Sequence, residues 1–155
     1  MNMSMIERGQ TLWRPVEATL RALQAPVQLA ARLYVGSVFF RSGLTKLRDW
    51  DTTLALFQDE YHVPLLPSDV AAVAGTTGEL VLPVLLVLGL AGRFAAAGLS
   101  VVNVVAAISL TDIAAAALTQ HQFWGSLLLA LLLWGPGGWS VDAWLRRRFS
   151  LRRKP

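Results

Sequence analysis

Four apolar segments, separated by charged residues and by glycine and proline, constrain the fold of this chain more than any other feature. An α-helix needs about 20 apolar residues to cross roughly 30 Å of hydrocarbon. The segments run over about residues 26–46, 70–91, 94–111 and 121–135. The last is short, so tilt or local thinning of the bilayer would have to help it span. The sequence therefore predicts an all-α, polytopic membrane protein built as a bundle of four transmembrane helices.

The composition supports this class and argues against nucleic acid as a partner. Of the 155 residues, 54% are hydrophobic and 15% are charged, which is too apolar for a soluble domain of this size. The net charge of +4 would suit a nucleic-acid-binding protein, but six of the 14 basic residues lie between Arg146 and Lys154, after the last apolar segment. There they would meet anionic headgroups of the lipid bilayer rather than form a groove for a duplex.

The sequence lacks residue types and motifs that several classes of chemistry require. The chain has no cysteine, so thiol–disulfide exchange, iron–sulfur ligation, zinc–thiolate sites and covalent c-type haem attachment are excluded. It also has no nucleophile elbow, phosphate-binding loop or dinucleotide fingerprint. We therefore predict no catalytic residues, and any redox role would depend on an electron carrier that is borrowed rather than covalently bound.

The distribution of charge divides the chain into three parts. Residues 1–24 contain no apolar run and are expected to form a cytoplasmic N-terminal segment, so that the first apolar segment is a retained anchor and not a cleaved signal peptide. Residues 25–145 form the membrane domain. Residues 146–155 form a basic cytoplasmic tail, and Ser140 is placed to cap a short surface helix that ends near Phe149.

The basic residues also predict the orientation of the chain. Lysine and arginine near the ends of membrane spans are retained on the cytoplasmic side. With four crossings, the N-terminal arginines, Arg93 and the basic tail share one side, whereas the other side receives only Lys46 and Arg48. Both termini are therefore predicted in the cytoplasm, and the loop over residues 47–69 is predicted outside.

One face of the first apolar segment carries two cations with two glycines between them. At 100° per residue, Arg32, Gly36, Gly43 and Lys46 fall within about 80° of one another. Ionisable groups at hydrocarbon depth cost about 3 kcal/mol or more each, so those that remain need a partner, water or a function. An alternative for Arg32 is that its long side chain snorkels to the inner headgroups.

Glu79 lies deep in the second segment, where its short carboxylate stem cannot reach water. It is roughly 13 Å from the start of the segment at 1.5 Å per residue, so it must be paired or neutral. Pro83, four residues later, removes the helical donor for the Glu79 carbonyl. Lys46 above and Arg32 below are both candidate partners. The pattern fits either a ligand pocket or an interhelical salt bridge that fixes the packing.

Other polar residues carry weaker signals. Asn103 lies near the middle of the third segment, where a side-chain amide either joins two helices or contributes to a pocket. The outer side collects five potential metal ligands, but their spacing is unspecific and we predict no metal site. These residues are Asp59, Glu60, His62, Asp112 and His121.

Several short pieces of the sequence resemble the DoxX family of small four-helix bacterial inner-membrane proteins over about Leu29 to Leu145. The pieces are Arg32-Leu-Tyr-Val-Gly36, Phe40-Arg-Ser-Gly43-Leu-Thr-Lys46, Glu79, Gly89-Leu-Ala-Gly-Arg93 and Gly135-Pro-Gly-Gly-Trp-Ser140-Val-Asp142. Their order and spacing carry the resemblance. Gly92 departs from it, since the family often has threonine there, and the missing cysteine excludes a thiol role.

The resemblance implies a link to membrane redox systems, including a thiosulfate and quinone oxidoreductase, and to oxidative-stress complexes. We therefore expect a non-catalytic accessory subunit with partner proteins encoded nearby. The expected ligand is a quinone, held between the first two helices with its apolar tail among the helices. The candidate ligand-binding residues are Arg32, Gly36, Gly43, Lys46, Glu79 and Asn103.

Two other functions fit the same sequence. A non-enzymatic anchor or assembly partner for stress or metal-handling proteins would use the acidic outer loop and the basic tail. A small-solute transporter would use the buried charges along its pathway.

Overall fold

The computed structural model describes residues 5–110 and 112–150, with side chains described over residues 12–110 and 112–149. Six α-helices account for most of these residues. They are α1 Met5–Arg48, α2 Trp50–Asp59, α3 Ser68–Leu88, α4 Gly92–Ser109, α5 Ala115–Trp134 and α6 Val141–Ser150. A single antiparallel bridge, between Tyr61 and Leu110, is the only β-type pairing within these ranges. The all-α prediction is confirmed for the described part of the chain.

Three of the helices are long and apolar enough to cross a membrane: α3, α4 and α5. They contain the second, third and fourth apolar segments of the sequence. The first segment forms the C-terminal part of α1, where Gln28, Arg32 and Arg41 interrupt the apolar residues, and α1 does not meet the same criterion. The molecule is thus a multi-pass membrane protein with three candidate spans.

Helix boundaries differ from the sequence-based expectation at the junction of α4 and α5. The third segment ends at Ser109 and not at residue 111, and α5 begins at Ala115. The alanines before His121 therefore belong to the fourth span, because alanine has the highest helix propensity. This span has 20 residues, so the prediction that it is short was wrong.

Two surface helices flank the bundle. The loop over residues 47–69 contains α2, whose first turn is capped by Asp49: the carboxylate accepts hydrogen bonds from Thr52 N at 3.0 Å and Thr52 Oγ1 at 2.7 Å. At the opposite end, α6 matches the predicted short helix, and Ser140 Oγ accepts from Ala143 N at 3.2 Å. We call these two ends of the bundle the α2 end and the α6 end.

The core forms where α1 packs antiparallel against α3, with α4 between α3 and α5. Two glycines of α1 permit close approach of the helices. A Cβ on Gly36 would lie 2.6 Å from Val87 Cγ2, and one on Gly43 would lie 2.8 Å from Leu80 Cγ. Buried side chains from all four helices fill the space between them. They include Val35, Phe39, Leu86, Leu99 and Leu128.

Candidate functional site

A cavity of about 400 Å³ lies at the α2 end of the bundle, and we call it the α2-end cavity. Its walls come from α1 to α5 and from the chain that follows α2. Most of the wall is apolar, with Val38, Phe39, Phe57 and Val105 among the lining residues. The side chains that bring polar atoms to the cavity are Ser42, Lys46, Tyr61, Glu79, Ser109, His121 and Trp124.

An ion pair between α1 and α3 lines this cavity. Lys46 Nζ donates to Glu79 Oε2 at 2.6 Å and to Ser42 Oγ, one turn back on α1, at 3.0 Å. The Glu79 side chain is buried, with 8% of its surface exposed, and that of Lys46 is 21% exposed. Gly43 makes the pair possible, since a Cβ there would lie 3.1 Å from Glu79 Cβ. Of the two candidate partners for Glu79, the structure therefore selects Lys46.

Arg32 lies instead at the α6 end, where it is fully buried. It donates to the carbonyl oxygen of Val87 at 3.0 Å and to that of Trp139, and its charge interacts with Asp142. It does not line the α2-end cavity. The interpretation that Arg32 snorkels to the headgroups was wrong, because the guanidinium is buried between the end of α3, which supplies Val87 O, and the loop before α6, which supplies Trp139 O.

Contacts of Asp142 and Gly89 hold two glycine-rich segments, residues 89–93 and 135–142, together at the α6 end. The Asp142 carboxylate accepts from Ala91 N at 2.9 Å and Gly92 N at 2.8 Å, which caps the start of α4. Gly89 has a φ of +66°, and a Cβ there would lie 2.4 Å from Ser140 Cβ. These contacts connect α6 to the α3–α4 turn.

Asn103 joins α4 to α5 through His121. Its Nδ2 donates to the backbone oxygen of His121 at 2.9 Å, and its Oδ1 is 2.9 Å from His121 Nδ1. Asn103 does not line the cavity, but His121 does. The sequence analysis considered His121 only as a metal ligand. No cluster of three or more potential metal-ligating side chains occurs within the described ranges.

Two aromatic residues of the cavity were missed by the sequence analysis. Trp124 packs edge-on against His121, with ring centroids 5.1 Å apart, and its buried Nε1 has no hydrogen-bond partner among the residues described. Tyr61 follows α2 and is held over the cavity by the bond from His62 N to Ser109 O, 2.9 Å long. No local sequence signal marks either residue, because both reach the cavity only through the tertiary fold.

The ionisation state of Tyr61 is set by its surroundings. Burial, with the negative charges of Glu60 and Glu79, raises the pKa of the Tyr61 phenol. The phenol therefore stays protonated at neutral pH and is available as a hydrogen-bond donor. The cavity combines cationic, anionic, phenolic and imidazole groups within apolar walls, which suits binding of a small and mostly apolar molecule with a few polar atoms.

The six predicted ligand-binding residues thus lie in three regions of the structure: at the α2-end cavity, in the α1–α3 contact and at the α6 end. Lys46 and Glu79 line the α2-end cavity, and Asn103 lies behind it in contact with His121. Gly36 and Gly43 lie in the contact between α1 and α3, and Arg32 is at the α6 end.

Comparison with known proteins supports the family resemblance. No curated protein and no solved structure matches the chain. The DoxX family model matches residues 27–112, which is more than half of the 155 residues and includes every lining residue of the cavity up to Leu110. The glycine-rich piece at residues 135–142 lies beyond the matched region. The chain belongs to the DoxX family.

Proposed function

We propose that this protein is a redox- or stress-linked accessory subunit of the bacterial inner membrane that binds a quinone headgroup in the α2-end cavity. The observation that carries the proposal is the Lys46–Glu79 ion pair, which lines a mostly apolar cavity in a bundle of membrane-crossing helices. A buried charged pair costs desolvation energy and is weak support for stability. Ionisable groups at such depth more often belong to a functional site.

The donors of the cavity fit the two carbonyl oxygens of a quinone. Lys46 Nζ carries three protons, of which Glu79 and Ser42 take two. The Tyr61 phenol supplies a second donor. Ligand cavities usually have volumes of about 300–1,000 Å³, and the volume of about 400 Å³ found here lies at the small end, suited to a ring rather than to a whole isoprenoid quinone. The tail would extend between the helices.

We further propose that α1 is the fourth crossing, with both termini in the cytoplasm. Support comes from the antiparallel contact between α1 and α3. Gly43 packs against Leu80, and Gly36, about two helical turns away on α1, packs against Val87, about two turns away on α3. Because α3 is long and apolar enough to span, the part of α1 that runs beside it lies at the same depth. The acidic α2 segment then faces the outside, and the arginines of α6 face the cytoplasm.

Substitution of the ion pair tests the binding proposal. Glu79→Gln and Lys46→Ala should each weaken quinone binding by roughly tenfold to a hundredfold, the expected loss of a hydrogen bond to a charged group. The measurement is the amount of quinone that copurifies per protein, together with the affinity for an added short-chain quinone.

Arg41→Ala is the matched control, because Arg41 is an exposed cation on the same helix and lies outside the cavity. It should retain wild-type quinone. If the Glu79 and Lys46 variants are stably folded and carry as much quinone as the wild type, the proposal is wrong.

The two alternative functions predict other results. An anchor or assembly partner would use the ion pair only for packing, so Glu79→Gln would lower stability without changing the copurified quinone. A solute transporter would lose flux into liposomes in the same variant.

A further inference from the structure

The hydrogen bonds of Asn103 fix the protonation pattern of the His121 ring. The backbone oxygen of His121 can only accept, so the side-chain group of Asn103 that lies 2.9 Å from it must be the amide nitrogen. The amide oxygen then faces His121 Nδ1 at 2.9 Å. Because this oxygen can also only accept, Nδ1 must carry the proton. In the neutral imidazole, Nε2 is therefore a bare acceptor.

The ring is held in place, and Nε2 is left for a ligand. Trp124 packs edge-on against the imidazole, and Asn103 bonds it from the side of α4. Within the described part of the chain, no group donates a hydrogen bond to His121 Nε2. The Glu79 carboxylate uses Oε2 for Lys46, and Oε1 has no hydrogen-bond donor among the same residues. His121 and Glu79 both line the cavity, so two residues of its wall, one on α5 and one on α3, each have an acceptor that is not used within the described part of the chain.

Unused acceptors discriminate between the two redox forms of a quinone. A hydroquinone has two hydroxyl groups and can donate to both acceptors, whereas the oxidised quinone has only carbonyl oxygens. Placing a carbonyl oxygen against Nε2 leaves two acceptors facing each other, and an unsatisfied buried polar group is costly. A site built to hydrogen-bond a ligand hydroxyl rejects the analogue that lacks it far better than an apolar pocket does.

We propose that the α2-end cavity binds the reduced, dihydroxy form of its aromatic ligand in preference to the oxidised form, with His121 Nε2 as the acceptor that sets the preference. This inference rests on the proposed function and specifies the ligand of the same site. Asn103 is a positioning residue, since it acts by holding the proton on Nδ1. The preference is for binding alone and requires no electron transfer within this chain.

The test compares both redox forms with the purified full-length protein in lipid nanodiscs. Decylubiquinone and chemically reduced decylubiquinol are titrated anaerobically, and the dissociation constant is measured for each. The wild type should bind the quinol on the order of tenfold more tightly, corresponding to one satisfied hydrogen bond of about 1.4 kcal/mol. His121→Phe removes the acceptor and should abolish the preference, so that the dissociation constants of the two forms become equal.

Variants of Asn103 separate positioning from folding. Asn103→Leu removes the acceptor for Nδ1 and should abolish the preference, whereas Asn103→Gln keeps an amide that can accept from Nδ1 and donate to the His121 backbone oxygen and should retain part of it. Nitrogen chemical shifts of labelled histidine report the tautomer directly, and His62→Gln assigns the two histidines. The shifts of His121 should show a protonated Nδ1 and a bare Nε2 in the wild type.

The outcomes distinguish this inference from the proposed function. If neither redox form binds, both the proposed quinone site and the proposed preference for the reduced form are wrong. If both forms bind with equal affinity, or if the preference survives in His121→Phe, quinone binding stands and the role of His121 is overturned. A bare Nδ1 in the wild-type spectrum also overturns it, even if the variants fail to fold.

Discussion

Arg32, which is buried, and Lys46, which is half-buried, have different surroundings because they lie at opposite ends of the bundle. Lys46 faces the carboxylate of Glu79 in a cavity. Arg32 is surrounded by backbone carbonyls, and its planar guanidinium reaches Val87 O and Trp139 O together. The ligand-binding role that we propose therefore concerns Lys46 alone, whereas Arg32 connects α1 to the end of α3 and to the loop before α6.

Replacing Arg32 should lower stability without changing quinone affinity. Arg32→Met leaves the carbonyls of Val87 and Trp139 without their donor, which should cost about 1–3 kcal/mol. Arg32→Lys should restore only part of the loss, because an ammonium group lacks the fork geometry. Thermal unfolding of the detergent-solubilised protein measures the effect, with Arg41→Met as the exposed control. Equal midpoints for Arg32→Met and Arg41→Met would contradict this role.

At the residue scale, the sequence predicted the need for a partner of Glu79 but not which residue supplies it. Helical periodicity places Arg32 and Lys46 on one face of α1. It does not predict which of the two the loop before α6 will cover. Trp139, which accepts from Arg32, is 107 residues away in the chain. Tyr61 and Trp124 were missed for the same reason, since both reach the cavity only through the tertiary fold.

At the scale of elements, α1 determines both the topology and the site. Its C-terminal part packs along α3 through Gly36 and Gly43, and its end places Lys46 at the α2-end cavity. Its N-terminal part extends the helix to Met5, through Pro15, and carries the exposed Glu17–Arg21 ion pair. The length of apolar runs predicted only the first of these parts, because the apolar residues of the N-terminal part, such as Trp13, Val16 and Leu20, lie three and four positions apart and form no continuous run.

The position of α1 in the membrane can be tested with single cysteines, since the chain has none of its own. If α1 crosses, Asp59→Cys should react with a membrane-impermeant maleimide on intact cells. Arg14→Cys and Arg146→Cys should react only after permeabilisation. All three side chains are exposed. Labelling of the cysteines at positions 14 and 59 from the same side would mean that α1 does not cross.

At the scale of the whole molecule, the two ends of the bundle differ in the contacts that hold them together. At the α6 end, Asp142 connects α6 to the α3–α4 turn and Arg32 connects α1 to the end of α3. The α2 end contains a cavity bounded by five helices and Tyr61. The fold class and the three spans α3 to α5 followed from segment length and hydropathy. The cavity did not, because its volume depends on how side chains from distant segments pack.

Photoaffinity labelling with an azido-quinone in native membranes tests most directly whether the α2-end cavity is a quinone site. Peptides carrying the label are identified by mass spectrometry, with and without an excess of unlabelled quinone. We expect labelling that the excess quinone suppresses, concentrated on the segments around Tyr61, His121 and Trp124. Labelling confined to the outer surface of α5 or to the α6 end, and unaffected by competing quinone, would contradict a quinone site in this cavity.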